Sequence, residues 1–245
     1  TVKEVETKNI VVATGSHPAA IPGVVVDGQK VVTYHEAILQ ETLPASVVII
    51  GAGAIGLEFA TVWNSYGSQV NLVEMLASIA PLEDAEVSAE LAKSFTKRGI
   101  KIHVETRVKS VETTETGIKV TVEGKEGVQV LEAEQALVAT GFKPNSAGLG
   151  LEEAGVTLTE RKFIPVNHVM ATNVPGIWAI GDVTGKFLLA HVASRQGILC
   201  AEAIAGKEIT PIDYVMVPRA TYCYPQVASF GLTEAQALEQ GRAIK

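Results

Sequence analysis

The apolar positions fall into two recurring patterns, short β-branched runs and longer stretches with helical spacing. Val47-Val48-Ile49-Ile50 has no polar interruption, the pattern of a strand buried on both faces. From Ala54 to Tyr66, the residues Ile55, Phe59, Val62 and Tyr66 recur at helical spacing, which predicts a helix burying that stripe and ending at Gly67. Gln69 to Val73 reads as the next strand. Asp84 to Arg98 reads as a second helix, with Val87, Leu91, Ser94, Phe95 and Arg98 aligned and Gly99 as the stop. Ile100 to Val104 follows as a third parallel strand, with His103 on its solvent side. Three alternating runs, Arg107 to Glu112, Gly117 to Glu123 and Val128 to Glu132, then predict an antiparallel meander.

Before this block, Lys8 to Ala13 is a short strand running into Thr14-Gly15-Ser16. His17-Pro18 and Ile21-Pro22-Gly23 read as an extended connection, with His17 solvated. Thr33 to Gln40 predicts a short helix, with Thr33 as N-cap and Glu36 completing a capping box. After the meander, Gln135 to Ala139 returns to the core and ends in Thr140-Gly141. That exit repeats the earlier one: Val12-Ala13-Thr14-Gly15 and Val138-Ala139-Thr140-Gly141. Two such exits suggest two points where the central block joins another.

The run Val47 to Ile50 ends in Gly51-Ala52-Gly53-Ala54-Ile55-Gly56. With 22 glycines in the chain, this spacing alone is unspecific. Its place between a strand and a helix, with Glu74 ending the next strand, makes a βαβ unit with a dinucleotide-binding fingerprint. Gly51 permits the tight turn, Gly53 lets backbone N–H groups approach a pyrophosphate, and Gly56 lets helix and strand pack closely. Ala54 and Ile55 open the helix whose positive end faces that phosphate. Glu74 can accept hydrogen bonds from both ribose hydroxyls and repel a 2′-phosphate, so NAD(H) is expected over NADP(H).

Composition narrows the partners. A formal net charge of −7 argues against a nucleic-acid surface, and no apolar run approaches the roughly 18 residues of a membrane span. Two cysteines, Cys200 and Cys223, exclude a disulfide framework and fit a reducing, cytoplasmic compartment. Cys200 is expected buried on a helix over Gln196 to Ile204, and Cys223 is expected to be the more accessible thiol.

Four motifs together carry a family resemblance: Ala13-Thr14-Gly15-Ser16, the glycine turn with Glu58, Ala139-Thr140-Gly141-Phe142-Lys143-Pro144-Asn145, and Trp178-Ala179-Ile180-Gly181-Asp182. This set resembles the FAD-dependent pyridine nucleotide disulfide oxidoreductases. Leu189 to Gly197, with Ala201 to Gly206, is most similar to the dihydrolipoamide dehydrogenase branch. Pro225 to Glu234 is similar to the opening of that family's interface domain.

The resemblance implies an α/β fold, with a Rossmann-like NAD-binding domain and antiparallel meander flanked by partial FAD-binding segments. It divides the chain into 1–21 and 145–212 for FAD, 22–144 for NAD, and 213–245 for the start of the interface domain. It implies that Asp182 hydrogen-bonds the flavin ribityl chain and that Ala190 and His191 lie at the flavin ring, on a helix N-terminus. Val108 and Gly141 would contact NAD through the backbone, and Glu58 would lie near the nicotinamide. The plain alternative for Glu58 is a first-turn carboxylate favoured by the helix dipole.

Complete members carry a further glycine fingerprint, a Cys-x4-Cys redox pair and a His-x4-Glu pair. None of His17, His35, His103, His168 or His191 has Glu five residues on, and Gln196 follows His191 at that distance where the family usually carries Glu. The expectation is therefore a central fragment, inactive alone, of a homodimeric enzyme that passes electrons from a lipoamide dithiol through FAD to NAD. Two alternatives stand beside it: a reductase of the mercuric reductase or soluble transhydrogenase type, and a stand-alone NAD-binding module.

Overall fold

A computed structural model describes residues 3–244. Its contacts divide the chain into two units, one from residues up to 17 with 142–217, the other from 18–141 with 218 onward. Two divisions, at 17/18 and 141/142, fall close to the two Ala-Thr-Gly exits. The third puts the stretch after 217 with the central unit, whereas the sequence reading set 213–245 apart.

The elements run β1 (Ile10–Val12), β2 (Ser16–Pro18), β3 (Val31–Val32), α1 (Tyr34–Ala37), β4 (Ser46–Ile50), α2 (Ala54–Ser65) and β5 (Gln69–Val73). They continue as α3 (Ala85–Lys97), β6 (Lys101–His103), β7 (Arg107–Thr113), β8 (Ile118–Gly124), β9 (Gly127–Ala133) and β10 (Gln135–Val138). The remainder are β11 (Phe142–Pro144), β12 (Ile177–Ala179), α4 (Ala190–Ile204), β13 (Arg219–Thr221), β14 (Val227–Ser229) and α5 (Glu234–Glu239).

The central unit is built on a five-stranded sheet in the order β3-β10-β4-β5-β6. Every pairing in it is parallel, with Val47 to Ile50 flanked by Gln135 to Val138 on one side and Val70 to Val73 on the other. This explains the uninterrupted β-branched run: Val47, Val48 and Ile49 are fully buried, and alternate residues enter two separate apolar clusters. One cluster takes Val47 and Ile49 with α2 and α3; the other takes Val48 and Ile50 with the β7-β8-β9 sheet, whose pairings are antiparallel.

Helix α2 buries a different stripe from the one its bulky residues suggest. Gly56, Leu57, Ala60 and Trp63 face the core, while Val62 and Tyr66 are exposed. Small residues at 56 and 60 let the helix axis approach the sheet, and the larger side chains are left to the flanks. Helix α3 shows the same adjustment, burying Ser88, Leu91 and Phe95 and leaving Val87 exposed. Helix α1 carries the capping box as expected, Thr33 and Glu36 bonding reciprocally. The Thr33 hydroxyl beside it holds the Glu36 carboxyl below its ordinary value, against a smaller opposing effect of burial. His103, expected on the solvent side, is half-buried, with Nε2 at 3.2 Å from Asn71 Oδ1; burial pushes its imidazole down, aided by Lys101 and opposed by Glu126.

In the other unit β1 pairs in parallel with β12, Val12 opposite Ala179. Val12, Leu151, Val156, Ile164, Ala179 and Val183 form its core. Among the described residues no helix is long and apolar enough to cross a membrane.

Candidate functional site

The three glycines of the turn answer to different constraints. Gly51 has φ of +107°, and a Cβ there would stand 2.4 Å from the Ala139 carbonyl oxygen of the neighbouring strand. Gly56 has no room either, since its Cβ would lie 1.9 Å from Gly51 O. The fold itself therefore requires both. Gly53 differs: its φ is −76°, and a Cβ would meet nothing within 4 Å. As the residue before α2 it also offers no side-chain cap, so the first N–H groups of the helix, from Ala54 onward, lack a side-chain acceptor at their head.

Glu74 closes the turn from the other side. It is buried, at 8% exposure, and its carboxylate accepts from Ala52 N at 2.7 Å and from Leu76 N at 2.8 Å. Its own backbone is pinned between His103 O and Thr106 N, so the acid is held rigidly at the strand end. Each oxygen uses one acceptor site for the protein and retains another for a ligand hydroxyl. The sequence reading gave Glu74 to a ligand alone; the structure adds that it braces the glycine turn.

Glu58 lies on the second turn of α2, half-buried, and its Oε1 accepts from Tyr222 N at 2.8 Å. Thr61 takes Tyr224 N, and Arg98 donates to Tyr224 O at 2.9 Å and to Ser65 Oγ at 2.8 Å. The stretch 222–224 is thus strapped along α2. This strap corrects the expectation for Cys223, which is 2% exposed within the central apolar cluster. Burial pushes its thiol up, as it does that of Cys200, buried in the other unit beside Met170 and Leu199.

Val108 is half-buried in β7 and packs against the meander core, next to a bulge. Gly141 is exposed with φ of +110°, and its carbonyl accepts from Ala19 N. The structure therefore gathers Gly51, Gly53, Ala54, Ile55, Gly56 and Glu74 around one turn, with Glu58 one turn further along α2.

The remaining candidates belong to the other unit. Asp182 is the second residue of a short 3-10 turn over Gly181–Thr184, and its Oδ2 accepts from Ser16 Oγ at 2.7 Å. Ala190 and His191 are exposed in the first turn of α4, whose N-cap Leu189 provides no side-chain acceptor. Two hubs escaped the sequence reading. Asn145 uses its backbone N on Gly15 O, its Nδ2 on Thr14 O, its carbonyl on Thr14 Oγ1 and its Oδ1 on His17 Nδ1. Gln196 accepts from Gly181 N and donates to Tyr214 OH. The Pro-Asn pair after Thr-Gly was a visible signal for the first, and a polar residue on the apolar face of α4 for the second.

A parallel sheet with a glycine turn after its central strand and a buried carboxylate just past the adjacent strand places the chain among α/β proteins. The chain belongs to the pyridine nucleotide-disulphide oxidoreductase family, whose sequence model matches residues 1–197. It is 49% identical over 239 residues to a dihydrolipoyl dehydrogenase of Mycobacterium leprae, covering 97% of this chain and 51% of that protein. With a dihydrolipoyl dehydrogenase of Mycobacterium bovis it shares 51% identity over 235 residues, covering 95% and 50%. LpdA from Mycobacterium tuberculosis superposes with a TM-score of 0.88 at 31% identity, over 95% of this chain and 50% of that one. The chain spans about half the length of the curated relatives it matches.

Proposed function

We propose that this chain carries the NAD(H) station, and part of the flavin site, of a dihydrolipoyl dehydrogenase. In this reading residues 18–141 are a Rossmann-like NAD domain, the segments around 1–17 and 142–217 contribute to an FAD domain, and 218–245 begin an interface region of a homodimer. The observation that carries the reading is Gly53. Gly51 and Gly56 are accounted for by packing, whereas Gly53 faces open space before an uncapped helix, and a backbone-close anionic ligand accounts for it.

The residues divide the work by position. N–H groups at the head of α2 bind the pyrophosphate, and Glu74 orients the adenosine ribose while disfavouring a 2′-phosphate. Glu58 stands at the nicotinamide end, with Val108 and Gly141 offering backbone contacts. Asp182 holds the polyol chain of the flavin, and the head of α4 at Ala190 and His191 stabilises negative charge at the ring. When bound, the flavin supplies two-electron transfer between a dithiol–disulfide couple and the nicotinamide. The two thiols present are buried in separate units with their ionisation suppressed, so neither acts as a relay thiolate. Identity of about half to dihydrolipoyl dehydrogenases over nearly the whole chain supports a lipoyl dithiol over other electron donors.

The test is Gly53→Ala. It leaves the thermal midpoint within about 2 °C of the unmodified protein, because φ is ordinary and the space is open, and it weakens NAD(H) binding at least about tenfold. Unchanged affinity by calorimetry overturns the assignment of the turn to a nucleotide.

A further inference from the structure

Gln196 is fully buried, at 0% exposure, in the middle of α4, yet both ends of its amide are used. Oε1 accepts from Gly181 N at 2.6 Å, and Nε2 donates to Tyr214 OH at 3.0 Å. A buried amide costs stability unless both ends are paired, and an apolar residue would serve the core as well. What this amide does is fix one peptide. Gly181 N is held by Gln196 and Gly181 O by the Thr184 hydroxyl at 2.8 Å, while its φ of +74° turns the chain out of β12. The next residue is Asp182. Its carbonyl accepts from Gly185 N at 2.9 Å, and its Oδ2 accepts from Ser16 Oγ at 2.7 Å.

The Asp182 carboxylate is thereby oriented from both ends. Gln196 sets the backbone just before it, and Ser16, the first residue of β2, takes one oxygen. The other oxygen, Oδ1, keeps its acceptor capacity. Tyr214 locks the amide in turn, its ring stacked on Phe187 at 5.8 Å with Lys186 Nζ 5.1 Å from its centroid.

We propose that Gln196 is a positioning residue, which with Ser16 presets Asp182 Oδ1 to accept a hydroxyl of a flavin polyol chain. This rests on the reading of Asp182 as a flavin ligand. It assigns function to a side chain that never touches the ligand, and the amide is chosen because it accepts from a backbone N–H and donates to a phenol at once.

Two measurements on the full chain separate the proposal from the reading beneath it. The first is amide hydrogen exchange at Gly181 without ligand. Gln196→Met keeps the volume and removes the pairing, and speeds that exchange at least about tenfold with β4 amides unaffected. Gln196→Glu keeps an acceptor for Gly181 N, lets the Tyr214 hydroxyl turn and donate, and restores protection. The second is equilibrium dialysis with FAD at up to about 1 mM, where the unmodified chain binds weakly. Ser16→Ala and Gln196→Met each lower that binding at least about tenfold, and Gln196→Glu stays within about threefold of the unmodified chain. Should Gln196→Met fail to fold, Ser16→Ala and Gln196→Glu carry the same comparison. Gly181 exchange indifferent to Gln196→Met, or FAD binding indifferent to the variants, overturns the proposal and leaves the flavin reading standing. Gln196→Glu binding FAD as poorly as Gln196→Met also overturns it. Altered exchange with no FAD bound by the unmodified chain overturns the flavin reading, and the proposal with it.

Discussion

Replacing Glu74 separates the two duties the structure gives that carboxylate. In the ligand-free protein it accepts from Ala52 N at 2.7 Å and Leu76 N at 2.8 Å. Hydrogen bonds to a charged acceptor contribute about 1.5–3 kcal/mol each, but the two donors are not equivalent when the acceptor is lost. Ala52 is fully buried, so its N–H is left dry, whereas Leu76 is 49% exposed and water replaces the missing partner. Glu74→Ala therefore costs about 2–4 kcal/mol, most of it at Ala52. In a unit of this size that lowers the thermal midpoint by about 5–15 °C. Glu74→Gln keeps one acceptor for Ala52 and turns its amide toward the wetter Leu76, costing about 1–2 kcal/mol. The assay is urea unfolding, comparing midpoints at constant slope. An Ala variant within about 0.5 kcal/mol of the unmodified protein, or a Gln variant as unstable as Ala, refutes the bracing argument. The ligand duty is read separately, as the ratio of NAD(H) to NADP(H) affinity in the Gln variant. That ratio falls by about 1.5–3 kcal/mol, and equal affinity for both nucleotides in the unmodified protein refutes the selectivity argument.

Three further outcomes follow from neighbouring residues. The folded-state imidazole of His103 lies below its ordinary 6.5, so the unfolded chain takes up a proton first as pH falls. Stability therefore declines as pH falls through and below about 6.5, and His103→Asn flattens that decline in the urea midpoint; parallel profiles contradict it. Glu58→Ala frees Tyr222 N and raises its amide exchange while leaving β4 protected; unchanged exchange at Tyr222 returns Glu58 to solvent. Both thiols resist a disulfide reagent until the protein is unfolded, and the chain with added FAD does not reduce NAD with dihydrolipoamide. A rate abolished by Cys200→Ser or Cys223→Ser would falsify that claim.

The parts of the fold that could be read from the sequence are those where one residue type answers one constraint. Val47 to Ile50 lies between parallel neighbours with both faces covered, so it carries only β-branched residues, and the glycines after it mark where backbone replaces side chain. The face of α2 was misread because its buried stripe mixes Leu57 and Trp63 with Gly56 and Ala60, small for close approach, while the bulkier stripe is partly exposed. Hydrophobicity counts size as burial, and here closeness required the opposite. Cys223 was misread because its burial depends on backbone N–H groups of Tyr222 and Tyr224 reaching Glu58 and Thr61. Such bonds leave no mark on side-chain pattern. Gln196 differs in part: a polar residue on the apolar face of α4 is visible in the pattern, but its partner, the amide of Gly181, is not.

The pairing of β1 with β12 also orders events in time. Ser16 and Asp182 are 166 residues apart, and the β1–β12 pairing spans a comparable length of chain. During synthesis at about 5–20 residues per second, the first strand waits on the order of ten to thirty seconds for its partner. Within that interval residues 18–141 are finished, and they contain the whole parallel sheet. Ile10 and Val11 of β1 are apolar and more than 40% exposed even when paired with β12. The central sheet is thus the part of the molecule able to form on its own schedule. The unit holding Asp182 is assembled late, around a strand synthesised well before the β12 strand it pairs with.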